Sequence, residues 1–110
     1  MKNINKSLLS GSMETMLLKL LSEKDMYGYE MIEALRARSE NVFELKAGTL
    51  YPILHALETK NYLESYEQEG VGKVRKYYSI TKDGKKYLKD KLDEWHSSSN
   101  AVASVLAFES

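Results

Sequence analysis

Cysteine is absent from this chain of 110 residues, proline occurs once, tryptophan once, and net charge is formally zero. The first absence removes disulfide frameworks, thiolate metal sites and cysteine nucleophiles together, and it agrees with a reducing compartment. With only two histidines, His55 and His96, and no motif that fixes a pair of carboxylates, neither a metal site nor a catalytic constellation is expected. Gly70 and Gly72 fall in a turn rather than before a helix, so no glycine-rich phosphate loop is present. No apolar run approaches the roughly 18 residues of a membrane span, and residues 1–10 lack the apolar core of a signal peptide. The expected location is the cytoplasm, and neither an enzyme nor a cofactor is expected.

What is present is an ordinary globular balance, 43% hydrophobic and 29% charged, at a length that suits one domain with a modest core. Chains of this size bury only about two-thirds of the surface exposed by the unfolded form, so long helices with apolar stripes favour self-association. The 16 basic and 16 acidic side chains are unevenly placed. Val71 to Lys91 holds Lys73, Arg75, Lys76, Lys82, Lys85, Lys86, Lys89 and Lys91 against Asp83 and Asp90, giving 8 − 2 = +6. Such a run often forms no more than a solvated helix face, but the screening length of about 8 Å makes its field strongly local.

Apolar residues Leu9, Met13, Met16, Leu17, Leu20 and Leu21 recur at helical spacing over Ser7 to Ser22, and Met31, Ile32 and Leu35 do so over Gly28 to Arg38. A third helix spans Lys46 to Lys60, with Leu50, Ile53, Leu54 and Leu57 inward and Lys46, Thr49, Tyr51, His55 and Glu58 outward. Pro52 is tolerated only near the start of that helix, which places its beginning at Lys46 or Ala47. After Asn61 the period changes. Tyr62 to Glu67 and Lys73 to Ile80 read as two strands, the second with Val74, Tyr78 and Ile80 on one face, joined through Gly70, Val71 and Gly72. Thr81 is suited to cap a last helix from Lys82 to Ala107. In that helix Leu88, Leu92, Trp95, Ser99, Val102 and Leu106 alternate steps of four and three, the seam of a helix that seeks a partner.

The predicted fold is therefore mostly α with a β-hairpin: a winged helix-turn-helix over residues 1–81, followed by a C-terminal dimerisation helix over 82–110. In such a fold the third helix enters the major groove and the hairpin lies along the backbone. Lys73, Arg75 and Lys76 would then neutralise phosphates, while Lys46, Thr49, Tyr51 and His55 would reach phosphates or base edges.

Three segments carry a more specific resemblance: YGYEM at Tyr27 to Met31, the run GTLYPILHALETKNYLES, and RKYYSITKDGKKYL at Arg75 to Leu88. In that order and at those separations they resemble the PadR family of bacterial transcriptional regulators, over most of the chain. The final helix with Trp95 is similar to the compact subgroup with a single C-terminal helix, which includes repressors of multidrug transporters. The resemblance implies a homodimer clasped by first and last helices, repressing from a palindromic operator on double-stranded DNA. It implies Tyr27, Thr49, Tyr51 and Pro52 as the helix-turn-helix signature and Arg75, Lys76 and Tyr77 as the wing. It also implies a small aromatic ligand in the dimer interface, near Trp95, Leu92 and Ser99. Ser99 stands where some drug-binding relatives place an acid, so affinity for cations does not follow. The competing reading is a winged helix that binds another protein and senses no ligand. Clustered wing cations and a third helix without apolar anchors speak for DNA.

Overall fold

The computed structural model describes the backbone of residues 6–107 and side chains from Ser12 to Ala107. Leu9, assigned above to the first apolar stripe, lies outside the described side chains. The elements are α1 (Lys6–Glu23), β1 (Met26–Tyr27), α2 (Gly28–Arg38), α3 (Ala47–Thr59), β2 (Leu63–Gly70), β3 (Lys73–Ile80) and α4 (Lys82–Ala107). Four helices with a small antiparallel sheet make a winged helix fold with a long C-terminal helix. No described helix is long and apolar enough to cross a membrane.

The core is built where the four helices meet the inner face of the sheet. Leu17, Leu18, Leu21, Met31, Leu50, Leu54, Leu57 and Leu63 are fully buried. Leu18 falls outside the stripe expected for α1. It is buried because α1 is flanked by α2, α4 and β3, so more than one of its faces is covered.

Asn61 ends α3 in the left-handed region at φ 66°, with Tyr62 N–H donating to Leu57 O at 2.9 Å and Asn61 N–H to Glu58 O at 2.9 Å. This pairing of the last carbonyls stops the helix and releases the chain into β2. Pro52 stands in the second turn of α3, one turn later than the expectation of a first-turn proline. The bond it cannot make is to the carbonyl of Gly48, an exposed residue that water can serve.

The hairpin is longer than its sequence pattern suggests. β2 continues to Gly70, Glu67 pairs with Lys76 and Gly70 with Lys73, and Gly72 supplies the positive φ of a two-residue turn. Val74 shares a face with Tyr78 and Ile80 but remains exposed, because the outer part of the hairpin extends past the core. β1, too short for a periodic signal, pairs Met26 with Tyr78 and Tyr27 with Tyr77, which makes β3 the central strand.

α4 begins on a cap: Thr81 Oγ1 accepts the Gly84 N–H at 2.9 Å and donates to the Asn61 carbonyl at 2.7 Å. Along its seam Leu88 is buried and Leu92 packs on the core, but Trp95 is 59% exposed, Val102 56% and Leu106 79%. The first half of α4 belongs to the domain and the second half leaves it.

Candidate nucleic-acid interface

Helix α3 lies on the inner face of the hairpin through Glu58, whose carboxylate accepts the Ser65 hydroxyl at 2.7 Å. Glu58, expected on the projecting surface, is thereby turned toward β2 and half-buried. With Leu50, Leu54 and Leu57 inward, a step of about 100° per residue places Gly48, Pro52, His55 and Thr59 at the centre of the outward face. All four are exposed. Tyr51 and Thr49 flank that face on opposite sides, and Lys46 occupies the N-cap without a side-chain cap bond. Gly48 and Thr59 were not among the residues singled out in the sequence. Gly48 offers no side chain, and Thr59 returns its hydroxyl to the His55 carbonyl at 2.9 Å, yet helical spacing alone places both there.

Tyr51 is 46% exposed while its phenol end rests on the start of α2. A Cβ on Gly28 would overlap the Tyr51 hydroxyl and stand 2.9 Å from its Cζ, so glycine lets α2 and the α3 tyrosine approach. The hairpin supplies the cations. Because side chains alternate along a strand, Arg75 and Lys76 lie on opposite faces. Lys76 is exposed on the face that carries Tyr78, its Nζ 5.6 Å from that ring centroid. Burial holds the Tyr78 phenol above its ordinary range, against the opposing pull of Lys76. Arg75 is on the outer face with its guanidinium 4.7 Å from the centroid of Tyr27. Lys73 is exposed at the tip.

Tyr77, the alternate of inward Tyr78, also faces outward. It meets Tyr27 edge-on at 5.4 Å and stacks with Tyr66 at 5.7 Å. Tyr66 donates its hydroxyl to Asp25 at 2.7 Å, and that hydrogen bond raises its pKa.

The +6 segment divides in space. Lys82, Lys85, Lys86 and Lys89 are exposed on α4, and at about 100° per residue they share one side of its first turns. Arg75 is separated from the end of β3 at Ile80, before α4, by roughly 17 Å of strand at about 3.3 Å per residue, or about two screening lengths. The wing itself is balanced, with Glu64, Glu67 and Glu69 on β2 and Lys73, Arg75 and Lys76 on β3. Its potential is directional rather than uniformly positive.

Trp95 and Leu92 are on α4, away from this surface. Leu92 closes one wall of a groove of about 330 Å³ shared with Met16, Leu20, Leu35 and Phe43. Ser99 Oγ is buried without a hydrogen-bond partner among the described residues. The described residues contain no cluster of three or more His, Cys, Asp or Glu able to hold a metal.

Residues 17–90 match the family model described as the transcriptional regulator PadR-like family. An uncharacterized protein of Lysinibacillus sphaericus is 38% identical over 93 residues, 84% of this chain and 85% of the relative. The fold is similar to that of a transcriptional regulator from Clostridium thermocellum, with TM-score 0.82 and 34% identity over 90% of this chain and 97% of the other. A PadR family transcription regulator from Clostridium difficile is similar at TM-score 0.74 and 35% identity, over 86% of this chain and 97% of the other.

Proposed function

This chain belongs to the PadR-like family of transcriptional regulators, and from that premise we propose that it is a homodimeric repressor that reads a palindromic operator with paired α3 helices. DNA-binding regulation rather than catalysis is the business of the family. The observation that carries the finer reading is the outward face of α3, free of packing and free of large aliphatic anchors, next to a hairpin that presents Lys73, Arg75 and Lys76. Lys46, Thr49, Tyr51 and His55 take phosphate and base edges, with Tyr27 at the margin of the surface. The wing cations follow the backbone.

Residues 1–81 serve as the DNA-reading part and residues 82–110, which contain α4, as the dimerisation part. The exposed seam of Trp95, Val102 and Leu106 supports a second copy as its cover, since these positions continue the same stripe as buried Leu88. Pairing through α1 and α4 sets the two α3 helices about one DNA turn apart, roughly 34 Å. A planar aromatic ligand between paired Trp95 rings, next to Leu92 and Ser99, is the effector that such an interface takes, and it relieves repression by altering that spacing.

The test is a mobility shift on the promoter of the neighbouring operon at two salt concentrations. Binding that weakens steeply with salt supports the reading. No shift at either concentration returns the fold to the alternative, a winged helix that binds another protein.

A further inference from the structure

Tyr27, Tyr77 and Tyr66 form one register row across all three strands, on the face turned away from the core. The row is fixed at one end, where Tyr66 is bonded to Asp25, and each ring rests on the next. At the other end the Tyr27 ring carries the guanidinium of Arg75. Tyr27 is held through its backbone, its N–H donating to Glu30 Oε1 at 3.2 Å. Arg75 forms no ion pair with a carboxylate among the described residues; its strand neighbour across β2 is the uncharged Gln68. Room for its fork comes partly from Gly70, where a Cβ would stand 3.1 Å from Arg75 Nη1.

A guanidinium that rests on an aromatic ring uses the face of its plane. Its N–H donors lie in that plane and remain available for a bidentate acceptor such as phosphate. A long arginine otherwise spreads over many rotamers and loses that freedom on contact.

Building on the DNA-binding reading, we propose that Tyr27 is a positioning residue for the wing arginine: its ring pre-sets Arg75 for a phosphate, and its own hydroxyl does not touch DNA. The sequence distance between the two, 48 positions, is closed only by the pairing of β1 with β3. Lys76, on the opposite face, is independent of this clamp.

The experiment is a double-mutant cycle with Tyr27→Leu and Arg75→Ala, together with Tyr27→Phe, read by anisotropy of a labelled promoter duplex over a range of salt. Arg75→Ala lowers the slope of log affinity against log salt by about one. Tyr27→Leu weakens binding about two- to fivefold, the worth of an exposed cation–π contact, and shifts the slope toward the Arg75→Ala value. It adds nothing in the Arg75→Ala background, and Tyr27→Phe binds as the wild type does. A Tyr27→Leu loss that persists undiminished without Arg75 overturns the proposal, as does a Tyr27→Phe variant as weak as Tyr27→Leu, which would mark a direct hydroxyl contact. If Tyr27→Leu does not fold, Tyr27→Phe alone decides between ring and hydroxyl. A wild-type chain that binds no duplex at any salt removes the DNA-binding reading as a whole, whereas an additive cycle in a chain that binds removes only the role of Tyr27.

Discussion

Gly84 packs directly beneath the carbonyl of Tyr62, so closely that a Cβ at position 84 would overlap that oxygen and stand 2.8 Å from Ile80 Cγ1. The glycine occupies the first turn of α4, where the same backbone carbonyl accepts the Thr81 N–H at 3.1 Å. Gly84→Ala is therefore expected to push α4 off the end of α3, at a cost of about 1–3 kcal/mol. Urea denaturation checks it: the midpoint falls with little change in slope.

Thr81 serves two backbone groups with one hydroxyl, the Gly84 N–H and the Asn61 carbonyl. Removing it in Thr81→Ala loses about 1 kcal/mol. Thr81→Ser keeps both bonds and recovers most of that loss in the same denaturation assay.

The ends of α1 and α2 are joined by Glu23 and Arg38, with Arg38 Nη1 donating to Glu23 Oε2 at 2.9 Å. That hydrogen bond, reinforced by the charges of Arg38 and Lys19 and opposed by partial desolvation, holds the Glu23 carboxyl below its ordinary value of 4.5. A depressed carboxylate stabilises the fold above its unfolded pKa, and the contribution disappears as pH falls through the folded value. Arg38→Ala should therefore be less stable than wild type at about pH 7, and the gap should narrow as pH falls below the ordinary carboxyl range. A gap between the two unfolding midpoints that does not change as the solution is acidified would contradict this.

On the wing, Arg75 and Lys76 reach out from opposite faces, and under the proposed function each is expected to meet a different phosphate. The double variant Arg75→Ala, Lys76→Ala is expected to lower the salt slope of DNA binding by about two and to weaken binding to all duplexes alike. His55→Ala, on the outward face of α3, should instead change the ranking of sequences more than the salt slope. Competition titrations with operator and random duplex separate the two.

Trp95 reports on α4. Trp95 is 59% exposed, so its emission in the isolated chain is expected to be that of a largely solvated indole. Dimerisation through the seam should shift this emission to the blue as concentration rises, and Val102→Asp with Leu106→Asp should abolish the shift and leave a monomer by sedimentation. Quenching by planar aromatic compounds then tests the effector pocket; an unchanged signal across a broad panel speaks against ligand sensing.

Much of this was legible from local pattern. The stripes of Met31 and Leu35 and of Leu50, Leu54 and Leu57, the cap at Thr81 and the hairpin with Gly72 in its turn all depend on residues a few positions apart. The PadR family was legible too, from three motifs in order. What local pattern could not supply were the contacts between distant segments. Leu18 is buried because helices from elsewhere cover it, Glu58 faces inward because Ser65 lies opposite, and β1 exists only because β3 passes beside Tyr27.

By itself the sequence determined where the four helices and the two hairpin strands begin to within a residue, which residues are periodic, and that Arg75 and Lys76 alternate. Only the tertiary structure decided what each of those faces meets: Tyr27 under Arg75, Gly28 against Tyr51, Gly84 beneath Tyr62. Periodicity is a property of neighbouring residues and is written in the chain, whereas register and close approach arise from non-local pairing, which depends on all the elements packing at once.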